Sequence, residues 1–224
     1  MTRVNVDIVS DVMCPWCYIG RKNLADALSQ LPDDVTVDRR WRPYQLDPTL
    51  PKEGKDRRQY LSDKFDGAER AREVYDTIVE AGRQAEIPFD FEAIAVSPNT
   101  LDAHRVIRWA ASAGPDVQDR LVGILFRMFF TEGRNIGDNA VLLEAAGEAG
   151  MDRALTESLL LGDADRAAVE SEIETARQMG VTGVPCFILD NKYALMGAQP
   201  AAALADAIRD VAERKSAQSA SGLD

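Results

Sequence analysis

The first part of the chain alternates between hydrophobic and polar positions in two stretches that flank a segment of helical period. Val4, Val6 and Ile8 alternate with polar neighbours, and residues 35–41 repeat the same two-residue period. Both stretches predict β-strands, because successive side chains of a strand point to opposite faces of its sheet. Residues 16–31 between them have a helical period, so this part of the chain predicts a β-α-β unit.

The carboxyl-terminal part of the chain has strand patterns again, followed by one helical pattern. Two short strands are predicted at residues 184–190 and 192–196, joined by an Asp-Asn turn. Residues 200–214 predict a final helix, and residues 215–224, which are rich in Ser, Ala and Gly, predict a disordered tail. The end of the chain is therefore a β-β-α unit, whose strands are expected to join the sheet of the first unit.

The long middle segment is almost entirely helical in period. Residues 56–179 leave room for five to seven helices between breaks at glycine and proline, and one helix is expected to begin at Asn99 or Thr100. Another is expected to bury the apolar side chains of Ile124, Leu125, Met128, Phe129 and Phe130. The predicted fold class is α/β: residues 1–50 and 180–214 form one discontinuous domain, and residues 56–179 form an inserted helical domain.

The charge of the chain argues against two classes of partner. The sequence has 224 residues, of which 26 are Lys or Arg and 37 are Asp or Glu, so its net charge is -11. An acidic surface repels nucleic-acid phosphates and anionic lipid headgroups, so neither nucleic acid nor a membrane is an expected partner. The chain has neither the apolar stretch of a secretory signal at its start nor an apolar run of about 18 residues, so a cytoplasmic location is expected.

Two cysteines occur where the first strand passes into the first helix, in the order Cys14-Pro15-Trp16-Cys17. This places the first sulfur at the start of the helix, where unpaired N–H groups and the helix dipole stabilise an anion, so Cys14 is expected to be the attacking thiolate. Cys17 lies one helical turn further on and is expected to resolve the mixed disulfide, leaving a Cys14–Cys17 bond. Pro15, which suits the first helical turn, and Trp16 are both expected to contact the substrate.

The alternative interpretation of these cysteines is a structural or metal-binding pair. A structural zinc site needs four ligands, whereas the chain has three cysteines and one histidine in scattered segments. An odd number of cysteines with two close together does not form a disulfide framework either. A catalytic dithiol without a bound metal or other bound cofactor is therefore the preferred interpretation.

The second candidate element is the Val184-Pro185 dipeptide, which precedes a predicted strand. A proline at this place suggests a cis peptide bond opposite the cysteine turn. Val184 could then offer its backbone N–H and C=O to an extended substrate, as an added strand would. The dipeptide by itself is a weak signal, since a trans proline is common at the start of a strand. Together with the cysteine pair it predicts that Pro185 belongs to the catalytic site.

Three further residues are candidates for auxiliary roles. Asp11, like Asp7 on the same strand pattern, could place a carboxylate beneath the pair and accept the proton of Cys17, or it could be exposed at the strand end. His104, the single histidine, could be a proton shuttle or an ordinary packing residue. Cys186 could be a third thiol near the pair, although a buried cysteine of the core is the more ordinary interpretation.

Four stretches give the chain a family resemblance. They are SDVMCPWCYIG at residues 10–20, WRPYQL at residues 41–46, FTEGRNIG at residues 130–137 and TGVP at residues 182–185. On these stretches the chain resembles the DsbA-like thioredoxin superfamily, and within it the FrnE-like cytoplasmic branch. The resemblance implies a thioredoxin fold with a large helical insertion between its β-α-β and β-β-α halves, and a thiol–disulfide oxidoreductase with a redox-active Cys-x-x-Cys pair.

The same resemblance leaves other functions open. The superfamily includes 2-hydroxychromene-2-carboxylate isomerases and kappa-class glutathione transferases, which act with glutathione through a serine or a lone residue. This chain keeps both cysteines, which favours dithiol exchange with a peptide or small-molecule disulfide, with glutathione as a further candidate co-substrate. A glutathione-dependent isomerase or transferase, and a redox-sensing or chaperone-like binding module, are the alternatives.

Overall fold

The computed structural model describes residues 1–221, and its first part is the predicted β-α-β unit. Strand β1 (Thr2–Ser10) leads through a turn at residues 11–14 into helix α1 (Pro15–Leu28). Strand β2 (Val35–Pro43) then pairs with β1 in parallel. The alternate apolar residues of β1 are buried, as their two-residue period predicts.

Within the described residues, seven helices and two very short strands lie between β2 and the third strand that the chain adds to the main sheet. The strands β3 (Lys55–Asp56) and β4 (Val96–Ser97) pair with each other, and they have too few residues to show a period in the sequence. The helices are α2 (Arg57–Lys64), α3 (Ala68–Gln84), α4 (Leu101–Ala113), α5 (Pro115–Phe130), α6 (Asn139–Ala149), α7 (Arg153–Leu161) and α8 (Arg166–Gln178). Helix α4 begins directly after Thr100, as expected.

The last three elements complete one four-stranded sheet. Strands β5 (Cys186–Leu189) and β6 (Tyr193–Met196) precede helix α9 (Ala201–Ser221). The strand order is β2-β1-β5-β6, with β5 antiparallel to both neighbours. Asp190 and Asn191 form the turn with φ of 46° and 56°, a left-handed conformation that Asp and Asn tolerate better than most residues. The two ends of the chain share one sheet, which confirms the predicted α/β fold with a helical insertion.

The inserted helices pack against the sheet through a common hydrophobic core. One cluster of buried side chains contains residues of β1, α1 and α9 together with residues of α4, α5 and α6. The apolar residues predicted for the core of α5 are all buried in this cluster: Ile124, Leu125, Met128, Phe129 and Phe130. The division into domains at residues 1–50, 56–179 and 180–214 stays a prediction.

The structure differs from the predicted disordered tail at residues 215–221, which continue α9 as a helix. Lys215 donates a hydrogen bond to the carbonyl of Arg3 at 2.6 Å and forms an ion pair with Asp190 at 2.8 Å. These contacts with the sheet explain why the helix extends beyond the end suggested by composition. Residues 222–224 of the predicted tail lie outside the described residues. None of the described helices, α9 included, is both long and apolar enough to cross a lipid bilayer.

Candidate active site

The Cys-Pro-Trp-Cys segment begins helix α1. Cys14 precedes the first helical residue with extended backbone angles (φ -93°, ψ 115°), and its carbonyl accepts the N–H groups of Cys17 and Tyr18. Pro15 occupies the first helical position, where its missing N–H leaves no bond unmade because that group would have no partner in the helix. The positive end of the helix dipole therefore lies beside the Cys14 side chain.

The two sulfur atoms of the motif differ in accessibility. Cys14 is 4% exposed, whereas Cys17 is fully buried one turn further along the helix. Burial raises the pKa of the Cys17 thiol and the neighbouring Cys14 raises it further, while the Ser10 hydroxyl and the Asp11 backbone lower it in part. All three cysteines of the chain are free thiols in this structure. Cys14 is thus the less deeply buried of the two residues, and Cys17 lies behind it with a thiol whose pKa is raised.

The loop before β5 lies beside Cys14. The Val184–Pro185 peptide bond is cis, and the Cys14 thiol donates a hydrogen bond to the Val184 carbonyl at 3.6 Å. Gly20 of α1 permits this close approach, because a Cβ atom there would lie 2.8 Å from Pro185 Cγ and 3.2 Å from Phe187 Cζ. The structure therefore brings together three of the residues singled out in the sequence, from the two ends of the chain.

The two residues between the cysteines differ in exposure. Pro15 is buried, whereas Trp16 is partly exposed. The apolar part of Trp16 packs both against the main core and against a smaller cluster that includes Ile19 and Ile87. Trp16 thus has the surface that a contact residue at the rim of the site requires, while Pro15 acts through the start of the helix.

Asp11 and His104 lie next to each other in the protein interior, Asp11 in the turn that carries Cys14 and His104 on α4. Both are buried, with 0% and 3% exposure. Asp11 Oδ1 accepts the N–H of Met13 at 3.3 Å, Oδ2 accepts the N–H of Leu46 at 2.8 Å, and His104 Nε2 lies 3.5 Å from Oδ1. Asp11 is therefore not exposed at a strand end. Asp7, in contrast, is engaged in an ion pair with an arginine of β2.

Cys186 faces the other side of the sheet. It is fully buried in a small cluster with apolar residues of β1 and α8, whereas the next residue, Phe187, lies in the main core with Cys14 and Cys17. Adjacent residues of a strand point to opposite faces, so the Cys186 side chain is directed away from the pair. Burial raises the pKa of its thiol. The structure favours the core interpretation of this residue.

Some polar groups near the cysteines were not predicted from the sequence. Ser10 ends β1 fully inside the protein, and its Oγ has no hydrogen-bond partner. Arg57, at the start of α2, is buried over the ring of Tyr75 and donates to its hydroxyl at 3.0 Å. Burial and, to a smaller extent, Cys14 raise the pKa of Tyr75. A serine at a strand end and an arginine at a helix start are ordinary in a sequence, and only the fold reveals their position.

Comparison with known proteins gives a consistent family. The uncharacterized protein YwbO of Bacillus subtilis (strain 168) is 27% identical over 195 residues, which cover 83% of this chain and 86% of that protein. The crystal structure of the probable DsbA oxidoreductase SCO1869 of Streptomyces coelicolor is 30% identical, with a TM-score of 0.82 over 92% of this chain and 89% of that chain.

A more distant structure has the same fold over nearly its whole length. The cytosolic disulfide reductase DsbM of Pseudomonas aeruginosa, solved with GSH, has a TM-score of 0.62 at 19% identity, over 94% of this chain and 98% of that chain. The family model described as the DSBA-like thioredoxin domain matches residues 5–209, which span the sheet, the cysteine pair and the helical insertion. On this match, and on the arrangement of Cys14, Cys17 and Pro185 in the fold, the chain belongs to the DSBA-like thioredoxin family.

Proposed function

We propose that the protein is a thiol–disulfide oxidoreductase that exchanges electrons between the Cys14–Cys17 pair and a peptide or small-molecule disulfide. The observation that carries this proposal is the position of Cys14 at the start of α1, 3.6 Å from the Val184 carbonyl, with Cys17 fully buried one turn behind it. Two-step exchange requires one accessible sulfur and a second sulfur that reaches the first but not the substrate. Family membership and the 30% identity to a probable DsbA oxidoreductase support the same reaction class.

The proposed reaction has two displacement steps. The Cys14 thiolate attacks one sulfur of the substrate disulfide, forming a mixed disulfide and releasing the other sulfur as a thiolate. Cys17 then loses its proton and attacks the Cys14 sulfur, which forms the Cys14–Cys17 disulfide and releases the second substrate thiolate. Each released thiolate takes up a proton from solvent. Two electrons pass from the protein to the substrate, and the same steps in reverse oxidise a substrate dithiol.

The surroundings of Cys14 are suited to an extended substrate. Val184 is only partly buried, and its carbonyl lies within reach of the sulfur at which a mixed disulfide would form. We infer that an extended substrate pairs with the Val184 backbone and contacts Trp16 at the rim. Glutathione is a candidate co-substrate and the cytoplasm the proposed location, because the fold is shared with a cytosolic disulfide reductase solved with GSH.

The decisive experiment for the reaction is the replacement Cys17→Ser. Thiol-trapping mass spectrometry after addition of a peptide disulfide should find a stable mixed disulfide on Cys14 in this variant, and none in the native protein. Cys186→Ser is the matched control, because Cys186 is buried in a separate cluster, and it should exchange as the native protein does. Continued turnover of a glutathione-dependent substrate by Cys17→Ser would instead indicate an isomerase or transferase that needs a single nucleophile.

A second measurement tests whether the pair is a two-electron couple. The reduced fraction of Cys14 and Cys17 is read in glutathione buffers of graded ratio, and a single two-electron midpoint is expected. Comparison of that midpoint with the cytosolic potential tells whether the protein oxidises or reduces its substrate, since a difference of about 30 mV corresponds to about 1.4 kcal/mol.

Client binding that survives the loss of both thiols would favour a chaperone-like module instead.

A further inference from the structure

The hydroxyl of Ser10 is buried without a hydrogen-bond partner. Ser10 ends β1 with 4% of its surface exposed, and its Oγ atom is hydrogen-bonded to no other atom within the described part of the chain. The backbone here is engaged, since the Ser10 carbonyl accepts the N–H of Tyr44 at 3.0 Å. Buried hydroxyls are nearly always paired, because an unpaired one has given up its hydrogen bonds with water and gained none in return. The local course of the chain therefore does not explain this side chain.

The alternation of β1 directs the Ser10 side chain into the core that contains Cys17. Alternate residues of a strand share a face, so Ser10 lies on the face of Ile8, which belongs to the main hydrophobic core together with Cys17. Val9 points to the other face and belongs to the small cluster around Cys186. The hydroxyl and the sulfur are thus buried on the same side of the sheet, on a strand and a helix that a turn at residues 11–14 connects.

Two groups at the end of β1 favour the ionised form of Cys17. Burial and then the neighbouring Cys14 raise the pKa of the Cys17 thiol, whereas the Ser10 hydroxyl and the Asp11 backbone lower it. A hydrogen-bond donor lowers the pKa of a thiol because it stabilises the thiolate. Since Cys17 is 0% exposed, bulk water does not reach its sulfur, and these two groups take the place of water around the charge.

The missing partner of Ser10 is explained if its acceptor exists only during the reaction. With a pKa raised above 9.0, the Cys17 thiol keeps its proton at neutral pH, and a thiol sulfur is only a weak acceptor. The thiolate that attacks Cys14 is a strong acceptor, and the hydrogen of a serine hydroxyl can rotate to meet it. An interaction that forms only in the reacting state lowers the barrier, whereas one that is equally strong in the resting state does not.

We propose that the Ser10 hydroxyl donates a hydrogen bond to the Cys17 thiolate during resolution of the mixed disulfide, and so accelerates the second displacement but not the first. This inference rests on the proposed function. In the second step the Cys17 sulfur bonds to the Cys14 sulfur, and the bond between Cys14 and the substrate sulfur breaks. The electron pair leaves with the substrate thiolate, which takes up one proton for the one that Cys17 gives up. Ser10 keeps its own proton throughout.

The expected size of the effect follows from two opposing contributions. A hydrogen bond to a charged group changes an ionisation constant by about 10–100-fold. A thiolate without that bond is the stronger nucleophile, which offsets about half of the loss on a logarithmic scale. Removal of the hydroxyl should therefore slow the second displacement by about three- to tenfold at neutral pH.

The test separates the two displacement steps in a single turnover. Reduced protein in a Cys186→Ala background is mixed with one equivalent of 5,5′-dithiobis(2-nitrobenzoate), which releases one coloured thiolate when Cys14 attacks and a second when Cys17 resolves. Ser10→Ala should slow the second release by about three- to tenfold and leave the first within about twofold. The ratio of native to variant rates should be constant from about pH 6 to about pH 8, because Cys17 is protonated throughout this range.

The variants Ser10→Thr and Ser10→Val are a matched pair. Their side chains are both branched at Cβ and have nearly the same shape, but only threonine has a hydroxyl. Any effect of the larger side chain on packing is therefore common to both. Ser10→Val should resolve about three- to tenfold more slowly than Ser10→Thr, while the first release should be equal in the two.

Urea unfolding distinguishes this role from a structural one. Reduced Ser10→Ala should unfold at the same urea concentration as native protein or at a higher one, because it lacks an unpaired buried hydroxyl. A lower concentration, together with an equal slowing of both releases, would mean that Ser10 only supports the turn and would overturn the proposal. So would a Ser10→Val protein that resolves as fast as Ser10→Thr. Failure of the proposed function looks different, because native protein would then release no second equivalent at any pH.

Discussion

The replacement Gly20→Ala tests the contact between α1 and the Val184–Pro185 loop. A Cβ atom at position 20 would lie 2.8 Å from Pro185 Cγ and 3.2 Å from Phe187 Cζ. The first distance is shorter than any ordinary carbon contact, and both neighbours are rigid ring atoms. The methyl group can therefore be accommodated only if α1 moves away from the loop that lies beside Cys14.

The expected size of the effect follows from two opposing contributions. Alanine is favoured over glycine inside a helix by about 1 kcal/mol. Overpacking of a well-packed interior costs about 1–3 kcal/mol. The net expectation is a loss of up to about 2 kcal/mol in the free energy of unfolding, which lowers Tm by about 2–4 °C per kcal/mol in a chain of this length.

Gly147→Ala is the matched control, because Gly147 is also helical and has no atom within 4 Å of its added Cβ. It should stabilise the protein by up to about 1 kcal/mol. Gly123→Ala should fall between the two, since its Cβ would meet the far end of the Arg21 side chain at 2.8 Å, and that side chain can shift. Urea unfolding of the three variants gives the ranking directly.

The same variants test the role of the loop in function. In Gly20→Ala the reaction of Cys14 with a peptide disulfide should slow, while its alkylation by iodoacetamide, which needs no loop contact, should change little. A Gly20→Ala protein that is as stable as Gly147→Ala and reacts equally fast with the peptide would refute the reasoning, because the packing of α1 on Pro185 would then be neither tight nor functional.

Three further results are expected from the surroundings of single residues. Burial holds the pKa of Cys17 above the ordinary value of 9.0. Above about pH 9 the unfolded chain gives up a proton that the folded chain keeps, so the reduced protein should lose stability as pH rises through that range. Urea unfolding at a series of pH values should show that the free energy of unfolding falls less steeply with pH in Cys17→Ala. Although burial opposes it, Lys215 helps to lower the pKa of Asp190, so Lys215→Met should cost up to about 1 kcal/mol at neutral pH, a loss that disappears as acid protonates the carboxyl. Arg105 is fully buried and donates to three backbone carbonyls around the α7–α8 turn at 2.6–2.8 Å, so Arg105→Met should cost about 3–5 kcal/mol and raise amide exchange in that turn.

The strand and helix order was predictable because each long element has its own period. Strand β1 alternates from Val4 to Ile8, and the apolar run of α5 has helical spacing, so these buried positions follow from the sequence. The two-residue strands β3 and β4 have no period, and the extension of α9 depends on Lys215 meeting Arg3 and Asp190 at the far end of the chain. Features of this second kind depend on tertiary contacts that no local pattern contains.

The candidate site was predictable to a similar degree. Cys14 and Cys17 have a spacing and a place in the fold that give them a chemical meaning by themselves. Asp11 and His104 were separate candidates, and nothing in the sequence indicates that they lie 3.5 Å apart, because His104 belongs to the helical insertion and Asp11 to the turn after β1. The absence of Ser10 from the predictions has the same origin, since an isolated serine is informative only once its burial is known.

The position of His104 bears on what the helical insertion does. The two cysteines, Pro185 and the sheet that carries them come from the ends of the chain. The insertion adds His104 beside Asp11 and the cavity that His104 lines. Substitutions at His104 are therefore expected to act on the turn that carries Cys14 through Asp11, while the strands of the sheet stay as they are.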